Sequence, residues 1–169
     1  MPFEAWRPGM ILTESRLDSI SPTWQDWTPV WTTSTGANTP SFGNAAITAR
    51  YAQSALTVWF RMTVIFGSTT SFGGGGSSDN WRFSAPVTAA AISDVVGGGE
   101  AHDVSVANTA GRMAIRPRLT TTTTFELEAS AGRVDAVAVT SGGLMDAVSP
   151  WTWANGDIVR IWGHYEAAG

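Results

Sequence analysis

The chain has 169 residues, a formal net charge of −4, 14% charged residues, nine tryptophans and no cysteine. That length suits one domain with a sizeable core, and the lack of cysteine excludes disulfides and thiolate metal sites. An acidic chain without a basic run is poorly suited to hold a phosphate backbone, so nucleic acid is not expected as a partner. Every cationic side chain other than the two histidines is arginine, which a GC-rich coding bias explains.

Residues 1–22 differ in character from the rest of the chain. Met1-Pro-Phe-Glu-Ala-Trp-Arg7 has no basic stretch leading into an apolar core, so it does not read as a signal peptide. No apolar run approaches the ~18 residues of a membrane span, and no membrane partner is expected. Thr13 is placed as a helix N-cap with Glu14 in the first turn, and Leu12 and Leu17 are spaced as a hydrophobic staple. Pro22 disfavours helix beyond Ile20. A helix over 13–20 is too short to stand alone and must dock. Trp6, Met10, Leu12, Leu17 and Ile20 supply its apolar surface. The expected organisation is an anchor segment over 1–22 and a domain over 23–169.

From Trp24 onward the pattern is strands and turns. Trp27, Pro29 and Trp31 recur at a spacing of two, and Pro29 places that stretch at a sheet edge. Residues 35–44 read as a loop. Residues 45–53 alternate through Ile47, Ala49 and Tyr51, and a tight connection at Gln53-Ser54 predicts an antiparallel hairpin with the next run. That run, 55–66, has Leu56, Val58, Phe60, Met62, Val64 and Phe66 at every second position. Thr57, Trp59, Arg61, Thr63 and Ile65 lie between them, giving one apolar and one mixed face. The mixed face is expected to meet a second sheet or another chain.

Residues 67–80 are rich in glycine and serine and read as a flexible loop, and 81–85 as a short strand ended by Pro86. The stretch 87–99, closing on three glycines, reads as loop or weak strand. Residues 102–108 and 112–119 are expected to pair, and five threonines lead into Phe125-Glu126-Leu127-Glu128. Residues 134–140 alternate, and 150–153 are expected to be extended. Asn155-Gly156-Asp157 is a turn signal before a last strand over 158–165. In that strand Ile158, Arg160, Trp162 and His164 oppose Val159, Ile161 and Tyr165. About eight to ten short strands at such spacing predict an all-β fold, an antiparallel β-sandwich or jelly roll with a short N-terminal helical anchor.

No motif predicts catalysis, and no catalytic, cofactor-binding or metal-binding residue is assigned. Glu100, His102 and Asp103 are close in sequence, but strand neighbours point to opposite faces, whereas a metal needs converging ligands. The serines of 68–78 lie in flexible sequence without a nucleophile elbow. Gly73 to Gly76 lack the Lys-Ser/Thr and the helix of a phosphate cradle. Glu126 and Glu128 share one face of one strand, which reads as a solvated face and not as two carboxylates flanking a sugar. The tryptophans fit a core, a subunit interface or a sugar-stacking platform. Trp27, Trp31, Trp59, Trp151 and Trp153 are the candidates for interface or glycan contact.

An ordered set of segments resembles a family of small tail or fibre proteins of bacteriophages and prophages of GC-rich Gram-positive hosts. The segments are Trp27-Thr-Pro-Val-Trp31-Thr, Gly43-Asn-Ala-Ala-Ile-Thr-Ala-Arg-Tyr51, Phe66-Gly-Ser-Thr-Thr, Trp81-Arg-Phe-Ser-Ala-Pro86, Trp151-Thr-Trp-Ala-Asn-Gly-Asp157 and Gly163-His-Tyr-Glu166. Trp6 to Leu17 looks like the short anchor that precedes such domains. The resemblance implies a non-enzymatic virion protein, a homotrimer of β-sandwich domains at the tail tip or fibre, joined to other virion proteins through residues 1–22. Contact with a host cell-surface glycan is a further expectation. A capsid-attached spike or head fibre and a free carbohydrate-binding module are the alternative readings.

Overall fold

A computed structural model describes residues 8–11, 13–14, 21–74, 79–92, 95–133 and 143–169, with backbone only over 130–133. The strands are β1 Gln25–Asp26, β2 Trp31–Thr33, β3 Ala46–Ser54, β4 Thr57–Ile65, β5 Trp81–Ser84, β6 Gly97–His102, β7 Arg112–Thr121, β8 Thr124–Arg133, β9 Gly143–Leu144 and β10 Ile158–Glu166. A 3-10 turn, Asn108–Gly111, precedes β7. The fold is all-β, and every strand pairing is antiparallel. The order is β1-β3-β4-β10-β6-β7-β8-β5-β2, with β9 beside β8.

One hydrogen-bonded path therefore joins strands that the sequence suggested would divide between the two sheets of a sandwich or jelly roll. The path curls. β1 and β2 stand at its opposite ends but are joined in the chain by residues 27–30 alone. The five Cα steps from Asp26 to Trp31 reach at most ~18 Å, so the two ends of the sheet lie close together. Pro29 sits in this crossing, where no ladder hydrogen bond is required of it. The register of β7 on β8 shifts between Met113 and Ile115 and again between Leu119 and Thr121. Such irregularities bend and twist a sheet.

The alternation in β4 produces the core. Val58, Phe60, Met62, Val64 and Phe66 are buried, while Trp59 and Ile65 remain exposed. Leu56 is the exception on the apolar side: it lies in the two-residue turn between β3 and β4 and is exposed. Phe60 stacks on Phe125 of β8 at 4.6 Å, although β10, β6 and β7 separate the two strands in the sheet. That contact marks the interior enclosed by the curl. A second aromatic cluster fills the other end: Trp31 meets Trp81 at 4.8 Å, Trp81 meets Trp153 at 5.0 Å and Phe66 meets Trp153 at 5.5 Å.

Two expectations change. Gly97, Gly98 and Gly99, read as loop or weak strand, form half of a regular strand, β6, against β10. A Cβ at Gly97 would lie 1.9 Å from the Trp162 carbonyl oxygen, and one at Gly163 would lie 2.0 Å from that of Val96. Glycine is required because the two backbones meet there. Residues 150–153, expected to be extended, are irregular chain outside the sheet. The expected helix over 13–20 lies, beyond Thr13 and Glu14, outside the described residues, as does the alternating stretch 134–140.

Candidate functional site

The outer surface of the sheet divides into two parts. Over β6, β7, β8 and β5 it is a ladder of ion pairs. Arg160 Nη1 lies 3.0 Å from Glu100 Oε1, and Arg112 approaches the other Glu100 oxygen at 4.0 Å. Arg118 donates to Glu128, and Arg116 Nη2 lies 2.7 Å from the same carboxylate. Arg82 Nε donates to Glu126 Oε1 at 2.6 Å. Glu126 and Glu128 are therefore not a solvated face: Glu126 is 3% exposed, and the cations come from neighbouring strands. The hydrogen bond from Arg118 is the main reason the Glu128 carboxyl lies below its usual range; burial opposes it, and the charges of Arg118 and Arg116 reinforce it. Glu100, once a conceivable metal ligand, is spent in these pairs, and no group of His, Asp and Glu suited to a metal occurs among the described residues.

Other buried carboxylates hold loops. Asp157 accepts from the backbone N–H groups of Val104 and Ala154 at 3.0 and 2.9 Å, and Asp146 from those of Val148 and Ser149 at 2.8 and 2.7 Å. Asp79 accepts from the Thr35 N–H and hydroxyl and from Asn38 Nδ2. Burial pushes the Asp79 carboxyl up, but these hydrogen bonds outweigh it and hold the group well below the usual range.

Over β3, β4 and β10 the outer surface is aromatic. Period-two alternation sends Trp59 and Arg61 of β4, and Trp162 and His164 of β10, to the side opposite the core. Trp162 stands directly across from Arg61 and Trp59 across from His164, so the two indoles are diagonal neighbours. Trp24, just before β1, completes the group, with the Arg61 guanidinium carbon 5.2 Å from its ring centroid. Trp24, Trp59 and Trp162 are 39%, 37% and 55% exposed. On the other flank Trp162 is paired with Gly98 of β6. A Cβ there would stand only 3.6 Å from the indole, so the ring lies against bare backbone.

Of the five tryptophans expected at an interface or glycan site, only Trp59 belongs to this surface. Trp31, Trp151 and Trp153 are core residues, each less than a tenth exposed. Trp27 is half-buried and meets Phe125 edge-on at 6.4 Å. Trp24 and Trp162, among the tryptophans that the sequence left open between core, interface and sugar platform, were not among the five singled out, although the alternation of residues 158–165 already put Trp162 on the side away from Val159 and Ile161. Of the expected anchor residues, Met10 is half-buried, and Trp6, Leu12, Leu17 and Ile20 lie outside the described residues. Comparison with protein-family models, curated proteins and solved structures finds no match.

Proposed function

We propose that this chain is a non-catalytic attachment and structural protein of a bacteriophage particle. It would sit at the tail tip or fibre as a trimer of sandwich or jelly-roll domains, held to the particle by residues 1–22. The observation that carries the attachment role is the exposed aromatic surface of β4 and β10. Three indoles and an arginine in solvent on a regular sheet are costly to leave uncovered and gain most from a partner. The buried carboxylates support a scaffold role, since their oxygens are engaged by backbone N–H groups and arginines. The family resemblance of the ordered segments supplies the particle, the trimer and the anchor.

Purified particles probed with an antibody to this chain test the reading, together with light scattering of the isolated protein. The expected results are labelling at the tail tip, loss of labelling when residues 1–22 are deleted, and a solution mass of three chains. Particles without the protein would overturn the virion role, labelling on the head would move it to a capsid spike, and a monomeric mass would remove the trimer.

A further inference from the structure

We propose that the outer face around Trp162 binds a saccharide carrying an acidic group. The inference deepens the attachment reading above and rests on it for where the ligand is met, on a cell surface; the site itself is argued from three features.

The first is the platform. The Trp162 indole lies against Gly98, which has no side chain to stand over it, and more than half of the residue is open to solvent. The C–H-lined face of a pyranose carries partial positive charge and fits the negative face of an indole, leaving the sugar hydroxyls free to hydrogen-bond. Trp59 lies on the adjoining diagonal, roughly 7–8 Å away. The surface is an open sheet face and not a closed pocket, which suits residues within a polymer as well as a chain end.

The second is the charge. Arg61 lies between Trp24 and Trp162, and its only charged or aromatic contact among the described residues is with the Trp24 ring. The arginines beside it are occupied: Arg50 by Asp26 at 3.1 Å and Arg160 by Glu100 at 3.0 Å. His164 and Glu166 follow on the same face of β10. Among the described residues Arg61 is thus a cation without a carboxylate, in a fork geometry that matches one. A neutral sugar would leave it unmatched.

The third is the contrast with the ladder next to it. Over β6 to β8 Arg112, Arg116 and Arg118 are matched by glutamates from their neighbours. The pairs continue to Arg160 on β10 and Arg50 on β3, on either side of Arg61, and among the described residues Arg61 stands outside them. A ligand that brings its own acid completes the pattern.

The test uses the full chain against immobilised oligogalacturonate, hyaluronan oligosaccharides and sialylated oligosaccharides, each beside its carboxyl methyl ester. Binding to at least one acidic form is expected. It should fall at least tenfold on esterification, in Arg61→Gln and in Trp162→Ala. Unaltered thermal unfolding of Trp162→Ala and Arg61→Gln shows that folding is not the cause. The inference is overturned if no acidic form binds, if esters bind as well as acids, or if binding survives Trp162→Ala. It is also overturned if Trp162→Ala lowers the solution mass, because the face then joins copies of this chain. Particles that carry the protein while it binds no saccharide would sink this inference and leave the particle assignment standing; saccharide binding by a chain absent from particles would do the reverse.

Discussion

Trp81 and Trp162 are the same residue on strands of the same sheet, and they do opposite things. Trp81 is fully buried, donates its indole N–H to the Phe72 carbonyl at 3.1 Å and touches Trp31, Phe66, Phe72 and Trp153. Trp162 faces solvent over a glycine. The difference lies in the parity of each position in its strand, which decides whether an indole builds the interior or stays free to bind. A chain with this many tryptophans therefore carries two populations, and composition alone cannot separate them.

The comparison breaks first on the inner side. Trp81→Ala should destabilise by about 3–5 kcal/mol through the cavity it leaves, seen as a large drop in the denaturant midpoint or as failure to fold. Gly163→Ala comes next, at roughly 2–3 kcal/mol, because its methyl would enter the Val96 carbonyl. Gly98→Ala on the neighbouring strand should melt like the wild type.

Tyr165 gives an effect of similar size at high pH. Its hydroxyl donates to the Val87 carbonyl at 2.6 Å and accepts from the Val87 N–H at 3.1 Å. Burial pushes its pKa up to about 12, although the hydrogen bond to Val87 opposes this. The folded state holds the proton more tightly than the unfolded chain, so the stability is complete below about pH 10 and is lost as pH rises toward 12. The loss should reach roughly 2–3 kcal/mol and be absent in Tyr165→Phe, as thermal unfolding across that range would show.

At the acid end the sign reverses. The Asp79 and Glu128 carboxyls are depressed, so they stabilise the fold above the ordinary carboxylate range, and that stability is lost as pH falls below about 4. Asp79→Asn should flatten the acid limb of a melting-temperature profile. Among the tryptophans the smallest stability effect belongs to Trp162→Ala, within about 0.5 kcal/mol of wild type, which is what an indole with no part in the core requires.

The interior was largely legible in the sequence, because alternation reports faces. Alternation marked the buried side of β4, the opposed faces of β10 and the hairpin of β3 with β4. What it could not report depends on neighbours distant in the chain. Gly97 to Gly99 have no side chains to alternate, and only the approach of Gly163 explains them as strand. Glu126 read as solvated because its arginine lies on β5, 44 residues away. Trp151 and Trp153 have a strand-like spacing, yet they sit in irregular chain and pack on each other at 4.9 Å. The single continuous path of the sheet depends on the short crossing at 27–30, whose meaning is clear only once its two ends are paired.

The most direct test of the division between inner and outer tryptophans is a titration of the isotope-labelled chain with an acidic oligosaccharide, following the indole N–H resonances. The signals of Trp24, Trp59 and Trp162 should move together and saturate, while those of Trp31, Trp81, Trp151 and Trp153 stay in place. Movement of the inner set, or no movement of Trp162 at saturating acidic saccharide, would contradict that division.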